Sequence, residues 1–322
     1  MSRIASVSTG PYAPPAPSRT LTVVSADGAR LHVEVHGPEN APAVVLSHGW
    51  TCSTAFWAAQ IRELTRDHRV IAYDQRGHGR SPASPACTTQ VLADDLEAVL
   101  AQTLERGEKA LVVGHSMGGM TIMAAAASPR FREHAAAVLL CSTGSSRLVA
   151  ESLVLPLRAG RVRTWITGHI LGSRAPLGPV TPLAKRILKY GTMGAGSAPH
   201  MVEACARIVH ACPRAVRHGW AGVLAALDLD HGVRELRAPT EVVHGACDRL
   251  TPPVHARTLV AALPHCIGLT ELPGVGHMTP IEAPDLVTGR IRELVTTYVT
   301  GNPPAAQPQP HPTPVQQIKE GA

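Results

Sequence analysis

The chain has 322 residues, 44% of them hydrophobic and only 3% aromatic, with a formal net charge of +6 at pH 7. That is enough apolar chain for one large domain or two smaller ones, with a core and pockets built from Val, Leu, Ile and Ala. The basic excess contains no Lys/Arg run interleaved with aromatics, which argues against nucleic-acid binding, and no apolar run reaches the roughly 18 residues of a membrane-spanning helix.

Residues 1–19 lack an apolar signal-peptide core and are broken by prolines, so they are expected to be a disordered tail rather than a secretory signal. The first folded unit is "LTVVSADGARLHVEVH" (21–36), where Asp27-Gly28 between two alternating runs marks a hairpin. "AVVLSH" (43–48) is a continuous apolar strand that ends in "HGW". Phe56 and Trp57 follow it closely and are expected to pack in the core. "RVIAYD" (69–74) leads into "DQRGHGRS", which contains Asp74, Arg76 and His78.

The next strand, "ALVVGH" (110–115), runs straight into Gly114-His115-Ser116-Met117-Gly118 and then the helical "MGGMTIMAAAAS". A serine on a sharp strand-to-helix turn has a strained backbone. The residues two before and two after it approach so closely that only small side chains fit, and Gly114 and Gly118 meet that need. G-x-S-x-G alone is a common accident; the flanking strand and helix make Ser116 a candidate nucleophile. A serine hydroxyl needs a base to remove its proton, and the base needs an orienting carboxylate.

"AAVLLCS" (136–142) is the sixth strand, after which residues 148–236 contain helical stretches and no convincing strand. This insertion is strongly basic: Arg158, Arg161, Arg163, Arg174, Lys185, Arg186, Lys189, Arg207, Arg214 and Arg217 stand against Glu203 between 158 and 217. Such a charge balance is either a solvated face or an attraction to anionic substrates, carriers or surfaces. "TEVVHG" (240–245) resumes the strand rhythm and places Asp248 just beyond it, where the acid of the site and a helix N-cap are the competing roles. The last strand, "IGLTELP" (267–273), is followed by "GVGHM", which sets His277 in a glycine-containing loop. Of 17 histidines His277 is therefore the candidate base, while His231, His255 and His265 read as surface or capping residues. Residues 300–322, rich in Pro and Gln, are expected to be a second disordered tail.

Cys52, Cys87, Cys141, Cys205, Cys212, Cys247 and Cys266 are odd in number and lack C-x-x-C or zinc-finger spacing. They read as reduced, mostly buried thiols, as in a cytoplasmic protein.

In the order Ser116, Asp248, His277, with "GHSMG", "HGW", "DQRGHGRS", "HGACD" and "GVGHM" in sequence, the chain from about 21 to 299 resembles the α/β-hydrolase superfamily. The resemblance implies an α/β fold: a mostly parallel sheet with flanking helices, its core in 20–147 and 237–299, and a helical cap inserted after the sixth strand, at 148–236. It also implies an oxyanion hole from the backbone N–H groups of Trp50 and Met117, and structural roles for His48 and the "DQRGHGRS" turn. Trp50 and Trp165 are candidates for the substrate pocket. The activity implied is hydrolysis of a carboxylic ester or related acyl bond, with a small-molecule acyl substrate and neither metal nor cofactor. Carbon–carbon bond hydrolysis, cofactor-free haloperoxidase or perhydrolase chemistry, acyl transfer and non-catalytic ligand reception are the alternatives.

Overall fold

The computed structural model describes residues 10–301. Among these residues a single eight-stranded sheet is formed by β1 (Arg19–Val24), β2 (Arg30–His36), β3 (Ala43–Ser47), β4 (Arg69–Tyr73), β5 (Ala110–His115), β6 (Ala135–Cys141), β7 (Thr240–Gly245) and β8 (Cys266–Leu272). Its order is β1-β2-β4-β3-β5-β6-β7-β8. The Asp27-Gly28 turn closes the β1–β2 hairpin, with Val24 opposite Arg30 and Gly28 at φ +84°. β2 lies antiparallel to β4, and every later pair is parallel.

β3, β4, β5 and β7 are buried along their whole length. This explains why they read as continuous apolar runs: helices cover both faces of the sheet, so neither face needs polar residues. Val44 and Leu46 of β3 point into one core cluster and Val45 into the other, as the two-residue period of a strand requires. Phe56 and Trp57 are fully buried in the cluster with Val44, as expected.

The core helices before the insertion are α1 (Ala58–Leu64), α2 (Thr89–Thr103), α3 (Met117–Ala125) and α4 (Pro129–His134). Between β6 and β7 lie α5 (Leu148–Glu151), α6 (Arg161–Leu171), α7 (Pro182–Thr192), α8 (Pro199–Ala211), α9 (Arg214–Ala225) and α10 (Asp230–Glu235). α11 (Pro253–Ala262), α12 (Thr279–Glu282) and α13 (Pro284–Leu294) complete the set. α10 sits directly on α3, since a Cβ at Gly232 would fall 2.2 Å from the carbonyl oxygen of Met123.

The expected tail at 1–19 is corrected within the described residues. Tyr12 is buried, its hydroxyl donates to the Ile281 carbonyl at 2.7 Å, and its ring stacks on His200. The ring lies beside α12 with its polar end partnered, and Arg62 donates to the carbonyls of Gly10 and Ala13 on either side of it. Residues 1–9 and 302–322 of the expected tails lie outside the described residues. All seven cysteines are free, and Cys247 is exposed. Among the described residues no helix is long and apolar enough to cross a membrane.

Candidate active site

Ser116 stands between β5 and α3 at φ 51°, ψ −117°, a conformation that non-glycine residues rarely adopt. The turn is tight for a steric reason. A Cβ at Gly118 would lie 2.0 Å from the Ser47 carbonyl oxygen, and one at Gly114 would lie 2.5 Å from that of Gly118. The Ser116 N–H donates to Cys141 on β6, while its carbonyl accepts from Gly119, Met120 and the Thr143 hydroxyl. The strained residue is held on both sides by neighbouring elements.

His277 and Asp248, from the loops after β8 and β7, meet as a buried pair with Nδ1 2.7 Å from Oδ2. The two oxygens of Asp248 have separate partners, and neither caps a helix: the N-cap of α11 is Pro252, with no side-chain cap bond. Oδ1 accepts the N–H groups of Leu250 and Thr251 ahead of α11, and Oδ2 faces His277. Burial works against ionisation of Asp248, but the His277 charge and hydrogen bond outweigh it, so the carboxyl is held below its ordinary range. The Thr251 hydroxyl lies 2.9 Å from the same Oδ2 and 3.2 Å from His277 Nδ1.

His277 is anchored from three directions. Its N–H donates to Thr192 at the end of α7, its carbonyl lies 2.9 Å from His115 Nε2, and Glu282 accepts from the flanking N–H groups of Gly276 and Met278. His115 stacks on Phe56 with ring centroids 4.4 Å apart and is held well below its ordinary pKa, chiefly by burial and then by the nearby His277. It is therefore neutral and donates through Nε2.

The loop after β3 lies over the serine, since a Cβ at Gly49 would be 3.1 Å from the Ser116 Cβ. Two buried imidazoles hold this loop. His48 Nδ1 donates to Gly49 and its Nε2 accepts the Gln75 N–H at 3.0 Å; His78 Nδ1 donates to Arg76 and its Nε2 accepts the Thr51 N–H at 3.2 Å. Both must be neutral, and burial pushes His48 down to about 3 and His78 down to about 4. In the same turn Arg76 pairs with Asp95 and Asp27, and Asp74 accepts from Thr54 and Arg80. The N–H groups of Trp50 and Met117 donate to no protein acceptor among the described residues.

Ser116, His277 and Trp50 line one cavity of about 500 Å³, roofed by α6, α7 and α9 and walled largely by aliphatic side chains such as Leu148, Ile170 and Leu224. Of the two tryptophans expected at a pocket, Trp50 is there and its indole N–H donates to the Arg217 carbonyl at 3.1 Å. Trp165 is not. It is 64% exposed and packs on His169, because α6 turns Arg163, Thr167 and Leu171 inward and leaves Trp165 on the opposite side. The sequence does not point to His115, Thr251 or Glu282, and it offers Arg217 only as one of the ten basic residues of the insertion. His115 and Thr251 adjoin recognised motifs, whereas Glu282 and Arg217 carry no local signal.

The sequence profile of the alpha/beta hydrolase family matches residues 44–290. Over 254 residues the chain is 31% identical to "Putative carbamate hydrolase RutD" of Variovorax paradoxus, covering 77% of this chain and 89% of that protein. A stretch of 104 residues is 36% identical to 3-oxoadipate enol-lactonase 1 of Acinetobacter baylyi, covering 32% of this chain and only 38% of that relative's length. The fold superposes on the crystal structure of the enol-lactonase from Burkholderia xenovorans LB400 with a TM-score of 0.67 at 25% identity, over 86% of this chain and 100% of that one. With the profile matched over most of the sheet and its insertion, the chain belongs to the alpha/beta hydrolase family.

Proposed function

We propose that the protein is a serine hydrolase that cleaves a carboxylic ester or related acyl bond through an acyl-enzyme. The observation that carries this reading is that His277, paired with the buried Asp248, lines the same cavity as Ser116 on its strained turn. In the proposed reaction Ser116 Oγ attacks the acyl carbonyl as its proton passes to His277 Nε2, and Asp248 stabilises the imidazolium. The N–H groups of Trp50 and Met117 take the charge that develops on the carbonyl oxygen. His277 then protonates the leaving group and deprotonates the water that releases the acyl group. The apolar walls suit a small or medium acyl chain.

The test is hydrolysis of p-nitrophenyl esters from acetate to palmitate by the wild type and by Ser116→Ala. Serine-dependent turnover with a short-chain optimum is expected; activity that survives Ser116→Ala would overturn the assignment. The names of the relatives favour a second reading, in which the acyl bond is that of a lactone or carbamate. Lactone and carbamate substrates assayed beside the esters decide between them.

The same reading extends to weak association of the cap with anionic surfaces or carriers. Arg158, Arg161, Arg174, Arg186 and Arg214 are exposed and make no ion pair among the described residues. Pelleting with anionic liposomes that weakens as salt rises is the expected result.

A further inference from the structure

Arg217, on α9, is only 6% exposed, yet no carboxylate pairs with it among the described residues. Its Nη2 donates to the carbonyls of Ser173 and Ala175, and its other guanidinium N–H groups have no protein acceptor there. Carbonyl dipoles satisfy hydrogen bonds without neutralising a charge, and buried arginines are normally paired. Two other buried arginines meet the rule: Arg76 has Asp95 and Asp27, and Arg69 has Glu108. Arg163 also lacks a carboxylate, but it lines neither of the cavities described here.

Arg217 lines the cavity that holds Ser116 and His277, where among the described residues no other Arg or Lys and no Asp or Glu contributes to the wall. Together with Pro176 and Leu177 it also borders an adjoining cavity of about 920 Å³, whose wall includes Arg214 and His210 and again no carboxylate. Among the described residues the only fixed charges along this route are thus two guanidinium groups, one of them on the largely buried Arg217 that lines the chamber of Ser116.

We propose that Arg217 binds a carboxylate carried by the substrate at a distance from the scissile bond, making the preferred substrates half-esters or carboxylated lactones rather than neutral esters. This rests on the reading of Ser116 as the nucleophile. A guanidinium in an apolar wall is suited to the task because its planar fork matches a carboxylate and the low-dielectric surroundings strengthen the pair. A neutral substrate leaves this largely buried charge without a counterion.

The test compares monomethyl esters of dicarboxylic acids, from succinate to suberate, with the methyl esters in which the free carboxylate is replaced by a neutral amide. For the wild type, kcat/KM for the best half-ester should exceed that of its amide counterpart by at least about tenfold. In Arg217→Met that ratio should collapse toward one, mainly through KM, and Arg217→Lys should retain part of it. A ratio unchanged in Arg217→Met, or an equal loss on both substrates in both variants, would make Arg217 a strut for Ser173 and Ala175 and overturn the proposal. Calorimetric titration of Ser116→Ala with the same pairs separates the two readings. If the wild type hydrolyses no ester, tighter binding of the half-ester that is lost in Ser116→Ala/Arg217→Met still supports the carboxylate site, and equal binding of half-ester and amide overturns it.

Discussion

Glu282 accepts the backbone N–H of Gly194 at 2.7 Å, so the carboxylate that braces the His277 loop also holds the segment that joins α7 to α8 in the insertion. It takes the Ser197 hydroxyl at 2.6 Å as well, and the N–H groups of Gly276 and Met278 on either side of His277. The fit leaves no slack: a Cβ at Gly194 would fall 1.8 Å from the Gly274 carbonyl oxygen, and one at Gly276 would fall 2.5 Å from the Met193 carbonyl carbon. Placement of the imidazole is thereby coupled to placement of the 192–197 segment.

Glu282→Ala deprives three backbone N–H groups of their acceptor. It should destabilise the fold by about 2–4 kcal/mol and lower kcat by loosening His277. Glu282→Gln, which keeps the shape and part of the accepting capacity, should lose less of both. Urea unfolding and steady-state kinetics on the two variants check this, and wild-type stability in Glu282→Ala would refute it.

Thr251 has one hydroxyl proton and three partners, Asp248 Oδ2 at 2.9 Å, Ser142 O at 3.2 Å and His277 Nδ1 at 3.2 Å. With His277 Nδ1 donating to Asp248, the hydroxyl is free to donate to that carboxylate or to Ser142, and it fixes the angle of the pair. Thr251→Val keeps the volume and removes the hydroxyl. The expected change is a severalfold drop in kcat, equivalent to about 1 kcal/mol, with little change in KM. An unaltered kcat would remove Thr251 from the site's supports.

The strain at Ser116 gives a signature in stability. Replacing it with glycine should relieve a cost of about 1–3 kcal/mol from its positive φ, partly offset by the extra entropy of the unfolded glycine, while ending turnover. Ser116→Ala ends turnover equally but retains a Cβ and so the strain. Thermal unfolding should therefore place the glycine variant above the alanine one; the reverse order would mean that the conformation costs little.

Acid should destabilise the protein through histidines that are buried neutral. His48, His78, His115, His244 and His255 are all held below their ordinary value of 6.5, in each case chiefly by burial. Because their folded values lie below the unfolded one, the stability they contribute is complete above pH 6.5. It falls as pH drops through the window down to about 4, where His78 itself titrates. Each such histidine contributes a slope of about 1.4 kcal/mol per pH unit. Asp74, raised by burial to about 6, acts in the opposite sense and offsets one of them. Unfolding free energies measured between pH 7 and pH 4.5 should therefore decline, and a flat profile would show that these imidazoles are protonated in the fold.

The sheet was legible because its central strands are buried on both faces, which leaves continuous apolar runs that no half-exposed element would show. The elbow is legible because close approaches exclude a Cβ at both flanking glycines, within the turn itself at Gly114 and against Ser47 of β3 at Gly118. Trp165 was misplaced because an apolar helical stretch does not by itself reveal which of its faces turns inward. The described part of the 1–19 segment is ordered contrary to expectation because composition cannot register one ring, that of Tyr12, packing beside α12, far along the chain.

What the sequence alone determined is whatever local backbone chemistry dictates: strands, hairpin, the tight strand-to-helix turn at Ser116, and the chain order of Ser116, Asp248 and His277. The tertiary structure decided the rest: that Glu282 ties the histidine loop to 192–197, that His78 carries the loop over Ser116, and that Arg217 enters the chamber without a counterion. Each of these joins residues distant in the chain, and the strength of a charge or hydrogen bond there is set by burial and by the neighbouring element, neither of which is written at the residue itself.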